Sequence, residues 1–156
     1  EGFEPQPHMI LYHCNLGFPL ISAESELTMN AKETRPRDEV ARPGLADWMR
    51  LQGPTAGYAE QVFHHILEPD DDNWSSATVY NPTIGLTLKI SYTHRTLPHL
   101  IHWKQMGQGA YVLGLEPANS SAIEGRATAR ERDDLPILGP GETRSYMLRF
   151  EITGIA

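Results

Sequence analysis

The fold class this sequence predicts is all-β, an antiparallel β-sandwich. Three observations predict it. From Thr83 to Thr93, Ile84, Leu86, Leu88, Ile90 and Tyr92 alternate strictly with Gly85, Thr87, Lys89, Ser91 and Thr93, the two-residue period of a strand with one wet face. Twelve prolines and 13 glycines fall at short intervals, a spacing that accommodates strands and turns but interrupts helices. No long segment repeats its apolar residues at the helical period of about 3.6.

Residues 1–7 hold two prolines without periodicity and read as a tail. Between His8 and Cys14, Ile10, Tyr12 and Cys14 oppose Met9, Leu11 and His13, which suggests a strand. Asn15 to Pro19 reads as a turn, and Leu20 to Ser22 as a short continuation. The stretch 29–57 is polar and rich in Pro, Gly and Arg, and reads as a long loop with one helical turn near Ala46 to Leu51. Long ordered loops in compact domains often serve as lids or binding walls. Tyr58 to Leu67 reads as a strand with Glu60, Val62, His64 and Ile66 on one face and Gln61, Phe63, His65 and Leu67 on the other. Asp70-Asp71-Asp72-Asn73 is a solvated turn, without the alternate ligands and distal Glu of a calcium loop. Ser76 to Tyr80 is a short strand closed by Asn81-Pro82. Leu100 to Lys104 begins another strand after Leu97-Pro98, and Tyr111 to Pro117 is an apolar strand following a glycine turn. A polar loop runs to Arg132, then Leu135 to Leu138. Gly139 to Glu142 is a tight turn, and Tyr146, Leu148, Phe150 and Ile152 alternate in a closing strand.

With 156 residues the chain can bury a core, as one sandwich domain over 1–156 or as the C-terminal portion of a larger one. A net charge of −7 argues against nucleic acid and anionic membranes as partners, because both recruit basic patches. Cys14 is the one cysteine, so no internal disulfide forms, and a reducing compartment, the cytoplasm, is expected. No apolar run approaches the ~20 residues of a membrane span.

Seven histidines raise the question of a metal. His64 and His65 are adjacent on a strand and point to opposite faces, as do His99 and His102, and no His-Glu-x-x-His or zinc-type Cys/His spacing is present. No metal site is therefore expected. The Gly-x-Ser-x-Gly elbow and the phosphate loop are missing as well; Ser120-Ser121 and Gly107-Gln108-Gly109 lie in turns. Acid–base chemistry remains. Glu116 ends an apolar strand, where a carboxylate must be solvated, paired or raised in pKa, and a raised carboxylate can move protons near neutral pH. Its strand face carries Ala110, Val112 and Gly114, small groups that leave room for a ligand. His13 ends another strand, Glu60 and His64 share a face, and Trp103 stands beside Lys104. Carboxylates, imidazoles and an indole are the equipment of a sugar site: polar groups take hydroxyls and the ring covers a C–H face. Each also has a structural reading, with His13 a hydrogen-bonded strand residue, Trp103 core and Lys104 solvated.

Several segments follow one another in a familiar order: Tyr12 to Pro19, Glu60 to His65, Leu97-Pro98, Trp103-Lys104, Gly114 to Asn119, and Pro140 to Glu142. Together they resemble the C-terminal half of the aldose 1-epimerase (galactose mutarotase-like) superfamily, and more closely its DUF4432 branch, from about Pro7 onward. The resemblance implies a large two-sheet sandwich (a supersandwich) with a sugar in a cleft, and a cofactor-free isomerase that interconverts anomers through ring opening. It makes Glu116 the base at the anomeric hydroxyl and His13 the acid at the ring oxygen. Glu60, His64, Trp103, Lys104 and Asn15 are the candidate sugar-binding residues. Glu60-Gln61-Val62-Phe63 stands where the family has Asp-His-x-Phe, a departure from ordinary galactose and glucose sites. The arginine and second histidine of the family's N-terminal half have no match here. The expected partners are a small sugar and, to complete the cleft, another chain or an N-terminal fragment of the same protein, or a homo-oligomer. Three other readings stay open: a sugar-binding sandwich without catalysis, glycoside hydrolysis by Glu60 and Glu116, and a structural domain of a larger enzyme. The Arg and Lys residues of 29–57 read as a solvated loop, with contact to an anionic sugar as the alternative.

Overall fold

The computed structural model describes residues 2–154. In chain order the elements begin with β1 (Gln6–Pro7), β2 (Cys14–Leu16), β3 (Glu26–Met29), β4 (Ala31–Pro36) and a 3-10 helix (Arg42–Asp47). There follow β5 (Gln61–Leu67), β6 (Trp74–Asn81), β7 (Leu86–Thr93), β8 (His99–Met106) and β9 (Tyr111–Ala118). The helix α1 (Arg126–Glu131), β10 (Ile137–Leu138) and β11 (Leu148–Gly154) complete the order. A five-stranded sheet runs β2-β9-β8-β5-β4, a four-stranded sheet runs β11-β7-β6-β3, and β1 pairs with β10 as a separate ribbon. Every strand pair is antiparallel.

The two sheets form a β-sandwich because each offers one apolar face. Leu67, Leu100, Met106, Leu113 and Leu115 from the five-stranded sheet share one buried cluster with Leu27, Ala77, Val79, Ile90 and Tyr92 from the other. Each fully buried aliphatic side chain of this kind contributes roughly 1.5–3 kcal/mol. The opposite face of the five-stranded sheet carries a smaller cluster, Val62, Ile101 and Ala118, packed with Leu11, Trp103 and Ile123. Register explains what else lies there. Residues opposite one another in an antiparallel pair share a face, and Trp103 pairs with Val62 and Gly114, Ile101 with His64 and Glu116, and Asn15 with Gly114. The outer face therefore collects the polar residues that alternate with the core.

The structure departs from the sequence expectations in several places. The tail expected over 1–7 contains β1, held because Gln6 and Pro7 pair with Leu138 and Ile137. The strand expected over His8 to Cys14 is extended chain whose backbone meets β9 through the Leu11–Ala118 bridge and the Tyr12 amide on the Pro117 carbonyl; regular pairing starts at Cys14 and takes in Asn15 and Leu16, read as turn. The long loop expected over 29–57 contains β4, which follows β3 after Asn30 alone but pairs in the other sheet, so the chain crosses from one sheet to the other there. β4 is an edge strand, so Lys32, Glu33 and Arg35 are free to meet water and the chain shows no apolar alternation. The helical turn falls at Arg42–Asp47, slightly earlier than expected. The polar segment after Pro117 contains the short helix α1 around buried Ala129. β9 does not stop at Pro117, whose carbonyl faces Tyr12. Its nitrogen faces the same way, so the missing N–H leaves the β8 ladder intact. Alternation does identify β11, although Phe150 and Ile152 at this sheet edge are 52% and 70% exposed.

Candidate active site

The outer face of the five-stranded sheet holds a cleft of about 200 Å³ lined by His13, Arg37, Glu60, Trp103 and Glu116 over Val62, Ile101 and Ile123. Four elements build it. β9 brings Glu116, the chain just before β2 brings His13, β8 brings Trp103, and the residue before β5 is Glu60. Arg37 follows β4, and its amide donates to the Val62 carbonyl at 2.8 Å, which fixes the start of the 37–60 connection against the sheet.

Glu116 is only 4% exposed. His13 Nε2 stands 3.0 Å from its Oε1, yet the contact lacks hydrogen-bond alignment, and Oε1 has no hydrogen-bond partner among the described residues. Burial raises the Glu116 pKa above the ordinary carboxylate value, and the nearby His13 pulls it partway back. A buried carboxylate with a vacant acceptor oxygen is equipped to take a proton from a ligand hydroxyl. Gly114 makes the room: a Cβ there would stand 2.5 Å from Glu116 Oε1 and 3.1 Å from Trp103 Cβ.

Glu60 is differently employed. Its Oε2 accepts from Trp103 Nε1 at 2.8 Å and its Oε1 from Arg37 Nη2 at 3.3 Å. Arg37 Nε also donates to Asp38 at 2.8 Å. The Trp103 indole is thus clamped, and His13 meets it edge-on with ring centres 5.6 Å apart. The result is an aromatic wall beside the His13–Glu116 pair.

Of the residues named from sequence, His13, Glu60, Trp103 and Glu116 meet in this cleft. Asn15 shares the outer face through its register with Gly114 but does not line the cavity. His64 lies one cavity further along the same face, with Arg35, Arg37, Ser121, Glu124 and Arg132, and burial lowers its pKa to about 4. Lys104 is not at the site. It follows Trp103 directly, so its side chain leaves the opposite face of β8, where Nζ donates to the carbonyls of Arg50 at 2.8 Å and Asp47 at 3.4 Å. Its pKa falls to about 8, chiefly through burial.

The remaining histidines behave as the alternation requires. His65 and His102 occupy the inner face, with His65 Nε2 3.3 Å from His102 Nδ1 and His65 Nδ1 2.9 Å from Thr34 Oγ1. His102 Nε2 is buried without a partner. An orphaned acceptor is better tolerated than an orphaned N–H, so the proton order is His102 Nδ1–H to His65 and His65 Nδ1–H to Thr34. Both rings are neutral; burial takes the His65 pKa to about 3 and His102 well below the ordinary value. Among the described residues no group of three or more His, Cys, Asp or Glu is placed to hold a metal ion, and no helix is long and apolar enough to cross a membrane.

Sequence reasoning did not single out Arg37. It took in Arg37 only among the Arg and Lys residues of 29–57, a stretch read chiefly as a solvated loop.

Residues 1–152 match the model of a family described as a domain of unknown function, DUF4432. No curated protein matches the chain. Among solved structures the chain is similar to a protein of Klebsiella pneumoniae subsp. pneumoniae described as a "putative aldose 1-epimerase", with 27% identity and a TM-score of 0.91. The similarity covers 97% of this chain and 40% of that one, so this chain spans less than half the length of the relative.

Proposed function

The chain belongs to the DUF4432 family, within the galactose mutarotase-like superfamily, and from that premise we propose that it carries the acid–base pair of an aldose 1-epimerase-like isomerase acting on a reducing sugar. One observation carries the reading: His13 Nε2 and Glu116 Oε1 lie 3.0 Å apart in a cleft, with no hydrogen bond to Oε1 among the described residues. The anomeric hydroxyl oxygen and the ring oxygen are bonded to the same carbon. An acid and a base that serve both at once must stand within a few ångströms of each other, as these do.

The reaction then balances without a further reactant. Glu116 takes the proton of the anomeric hydroxyl, the C1–O1 bond gains its second pair, and the bond from C1 to the ring oxygen breaks. His13 gives that oxygen a proton. The open aldehyde rotates about C1–C2, and the same steps run backwards at the other face of C1. Trp103, clamped by Glu60, covers the sugar's C–H surface, while Arg37 addresses its hydroxyls. Glycoside hydrolysis is less well supported: each Glu60 oxygen already accepts from a donor, which leaves neither to present a proton to a glycosidic bond.

The test is saturation-transfer NMR on a panel of reducing sugars. Native protein should accelerate exchange between anomers, and Glu116→Gln and His13→Asn should each abolish the acceleration while circular dichroism stays native. Sugar binding by calorimetry with no accelerated exchange for any sugar would select a non-catalytic carbohydrate-binding sandwich instead.

A further inference from the structure

The cavity next to the acid–base cleft sets the candidate substrate class. It measures about 280 Å³ and is lined by Arg35, Arg37, His64, Glu124 and Arg132, with Pro36 and Ser121. Arg37 lines both cavities. Val62 in one and His64 in the other stand two residues apart on the same face of β5, as do Ile123 and Ser121 on the segment after β9. The two spaces are therefore neighbours along one sheet face, joined at a guanidinium.

In a chain of net charge −7, three arginines around one small cavity are an unusual concentration. Their existing partners are weakly held. Arg132 meets Glu124 through two long contacts of 3.2 and 3.3 Å with both side chains substantially exposed. Arg35 Nε meets Glu33 at 3.0 Å, again with both side chains about half exposed. Exposed pairs of this kind are weak, so their guanidinium groups can exchange a carboxylate side chain for a ligand. Arg37 is anchored through Nε to Asp38 and through Nη2 to Glu60, and its Nη1 keeps no partner among the described residues. Forked guanidinium donors suit tetrahedral and planar oxyanions. His64 lines the wall as a neutral ring, with its pKa lowered to about 4, and can donate a further hydrogen bond.

We propose that the sugar is anionic: its ring occupies the acid–base cleft, and a phosphate, sulfonate or carboxylate carried away from the anomeric carbon lies in the neighbouring cavity against Arg37, Arg132 and Arg35. The inference rests on the reading of the cleft as a sugar site. The cavity accepts the charged substituent and the cleft the ring, with Arg37 bridging them. Glu124 then acts as a competitor that the anion displaces from Arg132.

The experiment pairs each neutral sugar with its anionic counterpart, glucose with glucose 6-phosphate and glucuronate, galactose with galactose 6-phosphate and galacturonate. Exchange rate by saturation transfer and affinity by calorimetry are both measured. Anionic members should be favoured by at least about tenfold, the scale of one charge-assisted hydrogen bond. Arg132→Gln and Arg35→Gln should each shrink that preference about tenfold, and Glu124→Gln, which frees Arg132, should enlarge it. The opposite signs separate ligand contact from loss of fold, which would move all variants the same way. Equal or better exchange with neutral sugars and a preference unmoved by the three variants would overturn the anionic subsite and leave the isomerase reading standing. Arginine-dependent binding of anionic sugars without exchange would remove the isomerase and leave the subsite. Failure of every anionic sugar to bind would overturn the subsite outright.

Discussion

Gly114→Ala is the substitution whose consequence the geometry defines most closely. The added Cβ would lie 2.5 Å from Glu116 Oε1, 3.1 Å from Trp103 Cβ and 3.3 Å from Trp103 Cε3. Ordinary contact begins near 3.4 Å, so the carboxylate oxygen must retreat by about 0.9 Å. Trp103 Cβ is fixed to the β8 backbone, and the indole is tethered to Glu60, so the end of the Glu116 side chain absorbs the strain. Gly114 is not among the residues with positive φ, so alanine meets no backbone penalty there. Overpacking typically costs ~1–3 kcal/mol, and the stiffer unfolded chain returns ~0.4–1 kcal/mol. Net destabilisation should be about 1–2 kcal/mol.

The effect on exchange should be larger. A base displaced by roughly an ångström loses on the order of 100-fold in rate. Urea denaturation supplies the stability and saturation-transfer NMR the exchange rate, both on the same preparation. A rate reduced far beyond the fraction of protein unfolded is the expected result. A Gly114→Ala protein that exchanges anomers at the native rate would refute the argument that Glu116 Oε1 is the working base.

Four further outcomes are expected. Because burial raises the Glu116 pKa, its ionised form is lost as pH falls through a value above the ordinary 4.5, and exchange should decline with an acid limb displaced upward from that value, as a pH–rate profile would reveal. His65, held down at about 3 by burial and then by His64, binds its proton in the unfolded chain near 6.5 but not in the folded one. Stability therefore falls as pH drops from 6.5 toward 3, by about 2 kcal/mol from His65 alone between pH 7 and 5, readable as a shifted urea midpoint. Trp103→Phe keeps a ring but loses the 2.8 Å bond to Glu60, and should weaken sugar affinity about tenfold by calorimetry. Lys104→Met leaves the carbonyls of Arg50 and Asp47 unanswered, so it should cost ~1–3 kcal/mol in urea while leaving anomer exchange at the native rate.

The strands that showed in the sequence are those whose two faces meet different surroundings. β7 alternates because Leu88, Ile90 and Tyr92 enter the core while Lys89 faces away from it. β4 could not be seen: as a polar edge it needs only one partner, and Ala31 to Pro36 satisfies its hydrogen bonds on β5 without an apolar face of its own. β2 was misplaced for a similar reason, since pairing with β9, rather than any pattern in Cys14-Asn15-Leu16, decides where it begins. Short helices such as α1 hide equally well, with Ala129 its one buried residue.

The same rule governs the site. Trp103 and Lys104 are adjacent, and a strand sends neighbours to opposite faces, so the two could never have served one ligand. Period two, applied to β8 alone, would have removed Lys104 from the candidates while keeping Trp103. Applied across the register, it joins Trp103 to Gly114 and Ile101 to Glu116, and thereby places the indole and the carboxylate on one face of the β8–β9 ladder. His13 and Arg37 follow from no such rule. Each lies just beyond a strand end, where direction is set by the sheet it leaves: His13 leads into β2, and Arg37 is turned inward by its amide on Val62. The fixed ladder thus supplies the carboxylate and the indole, while the imidazole and the guanidinium come from connecting chain that packs against it. That division predicts where substitutions act. Changes that disturb packing on the cleft-facing side of β8 or β9 should alter stability and exchange together, as in Gly114→Ala, whereas changes at His13 or in the Arg35 to Asp38 segment should alter exchange or substrate preference with little effect on the urea midpoint.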